Sequence, residues 1–210
     1  MREALHACAK THPDIALFLW ESPTLSLDTV DASFHLRIGG SSDSSIIAFP
    51  LAQDEIMIVV HPNNPIQHLS KDDLQDIFSG KVNDWNDLGR LSESIQVWIY
   101  PEGDDLRQVF DLVILGSEQN TSRAFIAPDP DAMLEAVSSD EAAIGYLPKS
   151  WLTENVKAIE LSETDVESLT QTVLAVTKAN PQGAALILLS CLQGDIGKAE
   201  IDNLYKIPGD

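Results

Sequence analysis

Apolar residues fall into short blocks along this chain. Runs of strand length occur at 15–20 (IALFLW), 33–40 (SFHLRIGG), about 55–60 (EIMIVV), 95–100 (IQVWIY), 142–148 (AAIGYLP), 156–161 (VKAIEL) and 170–178 (TQTVLAVTK). The unbroken run at 15–20 reads as a strand covered on both faces. Prolines at 50 and 62 bracket the run at 55–60 and are expected to stop its extension. Helical spacing separates these runs. It is weak over 2–12, where Pro13 stops it, and strong over 69–80. There Ser70 is placed as N-cap with Asp73 at N3, Leu74, Ile77 and Phe78 share a face, and Gly80 follows the end. Further amphipathic stretches at 105–116, 129–140 and after Pro181 complete an alternation of strands and helices, which predicts α/β layers with parallel pairing.

Composition narrows the functional classes. The chain has 210 residues, 44% of them hydrophobic, enough for one large domain or two small lobes. Its 13 Lys and Arg against 33 Asp and Glu give a formal charge of −20. No basic patch is present to displace counterions, so nucleic acid is not expected as a partner, and an anionic membrane surface is disfavoured likewise. The N-terminal stretch has no apolar run of signal-peptide length, and no run spans a bilayer. Cys8 and Cys191 stand far apart with no C-x-x-C pair. The histidines at 6, 12, 35, 61 and 68 have no ligand spacing, and the Asp-rich segments lack the calcium-loop pattern, so no metal or cofactor is expected. No G-x-S-x-G, P-loop or dinucleotide glycine pattern occurs, and an enzyme is not expected.

Three ordered motifs carry a resemblance. The stretch 54–89, DEIMIVVHPNNPIQHLSKDDLQDIFSGKVNDWNDLG, is similar to the middle section of the phosphate-type substrate-binding proteins of ABC transporters, with its valine-rich strand, Asn-Pro, capped helix, IF-G-K and Trp. AAIGYLP (142–148) is similar to the AIGY strand of that family. YPEGDDLRQVF (100–110) falls where the family carries an arginine, Gly-Ser-Gly-Thr and a phenylalanine. The resemblance implies a two-lobed, periplasmic-binding-protein-like type II α/β fold, with mixed sheets flanked by helices and a ligand cleft between the lobes. Its lobes are expected at 1–58 with 171–210, and at 59–170. Extracytoplasmic placement and an ABC permease partner would follow. Where the family begins with a strand and a ligand-contacting loop, this chain begins at the helix that comes next; a trimmed chain, a gap filled by another segment or a rebuilt lobe would each account for it.

Carried over position by position, the resemblance nominates Ser22, Thr24, Gly40, Ser41, Ser42, Tyr100, Gly103, Asp104, Asp105 and Arg107 as ligand-binding residues. Tyr100 stands where an arginine often lies, Asp104, Asp105 and Leu106 replace Ser, Gly and Thr, and Arg107 matches an arginine of many members. A phosphate dianion beside two ionised aspartates at about 4 Å meets repulsion of about 1 kcal/mol per pair in water-like surroundings, and several in a closed cleft. Three readings of the loop stay open: Asp104 as a helix N-cap, a carboxylate occupying the place of the bound anion, or a ligand with a cationic or hydroxyl-rich group recognised by Asp104, Asp105 and Tyr100. The expectation is therefore a non-catalytic solute-binding protein or domain. Its ligand would be a small oxyanion or polar or cationic solute other than ordinary phosphate. The alternative is a binding-protein-derived sensory or interaction module with a degenerate cleft.

Overall fold

The computed structural model describes residues 1–20, 33–39, 45–89, 93–203 and 205. In chain order they form α1 (Arg2–Lys10), β1 (His35–Ile38), β2 (Ile47–Val60), α2 (Lys71–Ser79), β3 (Gln96–Ile99), α3 (Asp105–Phe110) and β4 (Phe125–Ile126). There follow α4 (Pro130–Ser139), β5 (Ala143–Pro148), β6 (Lys157–Ala158), α5 (Glu163–Leu169), β7 (Thr170–Thr177), α6 (Gly183–Leu192) and α7 (Asp195–Ile201). The chain divides into two compact units, Met1–Asp54 with Gln171–Asp210, and Glu55–Thr170. The mixed α/β architecture implied by the resemblance is observed, but the parallel pairing expected from the alternation of strands and helices holds only for β3 with β4 and β5, while β1 with β7 and β2 with β5 and β6 pair antiparallel.

In the first unit β1 pairs antiparallel with β7, from His35↔Val176 to Ile38↔Val173, and β7 lies next to β2. Helices α1, α6 and α7 pack on one another, burying Leu5, Leu188, Leu192 and Ile201. Cys8, fully buried on α1, forms a disulfide with Cys191 on α6, a link across 183 positions of sequence. Two strand expectations change here. β2 runs through Pro50 instead of starting after it; Pro50 is exposed in a stretch where β5 and β6 do not reach, and its carbonyl accepts the Gln193 amide at 3.1 Å. Residues 15–20 form no strand: Ile15 and Leu17 pack on the core of the unit, whereas Phe18 and Trp20 are exposed. Apolar character alone does not supply the neighbouring strand that a ladder requires.

The second unit is built on the end of β2, which pairs antiparallel with β5 (Ile56↔Pro148 to Val60↔Ile144) and with β6. β3 runs parallel to β5 on one side and to β4 on the other. β5 is buried along its whole length, as its AIGYLP sequence requires. α2 has the predicted capping box: Asp73 N–H donates to Ser70 Oγ at 3.1 Å, Ser70 N–H donates to Asp73 Oδ2 at 2.8 Å, and Gly80 ends the helix in the left-handed region. Trp85 is fully buried and its indole N–H donates to the Ala142 carbonyl at 3.0 Å, a packing role. The single helix predicted over 105–116 is instead α3 followed by a wider π-helical turn, Asp111–Leu115, stopped at Gly116. The Gln75 amide donates to the Leu115 carbonyl at 2.9 Å and so satisfies an end that the helix cannot cap itself.

Candidate functional site

β3, buried at alternate positions, delivers Tyr100 to its end, and Pro101–Asp104 turns the chain into α3. The turn closes with Asp104 N–H donating to the Pro101 carbonyl at 3.2 Å, and Gly103 occupies φ +90°, a conformation that L side chains resist. Asp104 is 8% exposed and sits at the N-cap. Its Oδ1 accepts the Leu106 N–H at 2.8 Å and the Arg107 N–H at 3.3 Å. The amides that a helix start would offer to an anion are thus taken by the chain's own carboxylate. Asp105 adds a second negative charge to the first turn, complementing the helix dipole.

Arg107 is turned inward. Its Nη1 donates to the Tyr100 carbonyl at 2.9 Å and its Nε to Asp111 Oδ2 at 3.3 Å. Asp111 Oδ1 in turn accepts the Asn120 amide at 2.8 Å. The Gln108 amide donates to the Gly103 carbonyl at 3.0 Å, tying the turn to the helix. Three of the expected residues, Tyr100, Asp104 and Arg107, are therefore joined with Asp111 and Asn120 in one local network. Asp111 was legible in advance from its i,i+4 spacing to Arg107; Asn120 carried no local signal.

Beneath the loop lies an aromatic cluster. Tyr100 meets Tyr146 edge to face at 5.2 Å, Tyr146 stacks on Phe110 at 4.0 Å, and Phe110 meets Phe78 at 4.6 Å. The Tyr100 N–H donates to the Tyr146 hydroxyl at 3.5 Å. The Tyr100 hydroxyl is buried and has no hydrogen-bond partner. Burial pushes the Tyr100 phenol well above its ordinary range, and the charges of Asp104 and Asp129 push the same way. Burial also raises Tyr146, partly offset by the Tyr100 N–H bond and by Arg107. Both phenols are neutral, and an ionised tyrosine is not available to the site.

Ser22, Thr24, Gly40, Ser41 and Ser42 lie outside the described residues. Among the described residues, no group of three His, Cys, Asp or Glu stands together to hold a metal ion, and no helix is long and apolar enough to cross a membrane.

Comparison with known proteins adds a family. The PBP superfamily domain matches residues 30–206. The chain is similar to the phosphate-binding protein PstS of Bacillus subtilis (strain 168), 24% identical over 181 residues, covering 80% of this chain and 60% of that relative. It thus spans less than two thirds of this curated relative's length. Among solved structures, a substrate-binding protein of Clostridium perfringens with bound phosphate superposes with TM-score 0.87 at 18% identity, covering 98% of this chain and 93% of that one. An ABC-type phosphate transport receptor of Vibrio cholerae gives 0.77 at 18% identity, covering 99% and 95%. The reduced OxyR regulatory domain of Pseudomonas aeruginosa gives 0.63 at 14% identity, covering 91% and 89%. These structural likenesses are likenesses of fold.

Proposed function

We propose that this chain, which belongs to the PBP superfamily, is a non-catalytic solute-binding domain of the phosphate-type ABC-transporter class whose ligand is not ordinary phosphate. Similarity to PstS over 80% of the chain supports the class. The observation that carries the ligand reading is Asp104 Oδ1 on the Leu106 and Arg107 N–H groups. A dianion placed there would have to displace a charge-assisted cap and then remain beside the Asp105 carboxylate. Arg107, engaged by the Tyr100 carbonyl and Asp111, would have to break both bonds to compensate. A small solute with a hydroxyl or cationic group meets no such opposition. The Cys8–Cys191 disulfide supports placement in an oxidising, extracytoplasmic compartment, where an ABC permease would be the partner.

Titration calorimetry with phosphate on the native chain and on the Asp104→Ser, Asp105→Gly double variant tests this reading. The native chain is expected to give no saturable phosphate binding, and the variant is expected to gain it. Tight phosphate binding by the native chain would overturn the ligand assignment. A thermal-shift screen over oxyanions, sugars and amines then finds the solute, since a ligand that binds only the folded state raises its melting temperature.

The second reading, a sensory or interaction module, is favoured by one observation, the likeness of fold to the OxyR regulatory domain. Absence of stabilisation by every solute class, together with co-purification of a regulatory partner, would select it.

A further inference from the structure

The N-terminal end of β3, opposite the end that carries Tyr100, borders a recess of about 240 Å³. Ile77, Ile95 and Val97 give it an apolar floor, and Asn83, Ser94, Thr121 and Arg123 supply its polar lining. We propose that this recess is a binding site for a small carboxylate with a short apolar tail.

The polar groups are available. The Thr121 hydroxyl accepts the Arg123 N–H at 3.4 Å, which leaves its own proton to donate. The Asn83 amide, the Ser94 hydroxyl and the Arg123 guanidinium have no side-chain partner among the described residues, although the chain carries 33 acidic residues that could have engaged the arginine. Among the described residues no carboxylate lines the recess. The nearby Lys81, by contrast, is paired with Asp76 and Glu118, whereas Arg123, which lines the recess, has no carboxylate partner among the described residues. A planar guanidinium fork is matched by a carboxylate in two parallel hydrogen bonds, with the hydroxyl and amide donors beside it, while the isoleucine and valine floor takes a tail. The volume, below the usual range for drug-sized ligands, limits the occupant to a small acid.

The wall between the floor and the donors is fixed by close packing. Gly80 lies at φ +82°, and a Cβ there would stand 2.7 Å from Thr121 Oγ1. Thr121 fills that space, and its N–H donates to the Phe78 carbonyl at 2.7 Å. The C-terminal end of α2 therefore holds the 121–123 segment, and with it Arg123, in place.

The test is an amide-shift titration of the intact chain by NMR with isobutyrate, with isobutyramide as the neutral counterpart of the same shape. Saturable shifts confined to Gly80, Asn83, Ser94 and Thr121 are expected with isobutyrate, with residues 103–107 unmoved. Arg123→Gln, an exposed change that leaves the packing intact, is expected to weaken binding at least about tenfold, by loss of a charge-assisted pair, and Ser94→Ala to weaken it less. No saturable shift, equal binding of the amide, or unchanged binding by Arg123→Gln would each overturn the proposal.

Discussion

The carboxylate of Asp104 accepts the backbone N–H of Leu106 at 2.8 Å. That single bond changes what the start of α3 can do: a position whose amides would suit an anion is closed from within by an acidic side chain that is itself nearly buried. The carboxylate is at once a local stabiliser of the helix and an electrostatic guard against a second negative charge.

Asp104→Ala is accordingly expected to lower stability by about 1 kcal/mol, the usual cost of a lost N-cap, whereas Asp104→Asn should cost much less because asparagine caps equally well. Urea midpoints of the two variants, compared at equal slope, decide this. A loss in Asp104→Asn as large as in Asp104→Ala would show that the charge and not the cap matters.

Tyr100→Phe is expected to be neutral or stabilising by up to about 1 kcal/mol, because it removes a buried hydroxyl that has no partner. Tyr146→Phe differs: it strips the acceptor from the Tyr100 N–H and should cost about 1 kcal/mol. Thermal denaturation of both single variants measures the contrast.

Alkaline sensitivity follows from the same pair. Burial raises both phenols above their unfolded value of about 10, so the folded state retains protons that the unfolded chain gives up. The stabilisation due to these neutral phenols is fully present below about pH 10 and is lost as pH rises beyond it. Unfolding followed against pH should therefore turn downward near pH 10, and Tyr100→Phe should soften the turn. An unchanged pH profile in that variant would remove Tyr100 from the cause.

Reduction of the Cys8–Cys191 disulfide is expected to cost about 2–5 kcal/mol, since it frees a very long loop in the unfolded chain. Denaturant unfolding with and without a thiol reductant gives the difference. Hydrogen exchange should locate the weakening in α1 and α6, with α2 and β5 little affected.

Much of this fold was legible because its signals are local. Ser70, Asp73 and Gly80 specify both ends of α2, and the apolar runs at 142–148 and 170–178 became β5 and β7. α5 was legible in principle, since Ser162 and Asp165 have the same capping spacing, but the seven-residue helix merges at once into β7. The misreadings concern partners distant in sequence. Nothing within residues 15–20 states that no strand will pair with them, and nothing around Pro50 states that β2 runs on through it. At the candidate site, Asp104 as a cap was readable from its place before a helix. The inward turn of Arg107 depended on Asp111 and on the carbonyl of Tyr100, and the recess beside Arg123 depended on three separated segments meeting at one end of β3.

The sulfur link between Cys8 and Cys191 joins positions 183 residues apart. A single proteolytic nick at any exposed loop between those positions would therefore leave two fragments covalently joined. Such a nicked molecule would migrate as intact protein on a non-reducing gel and separate only after reduction.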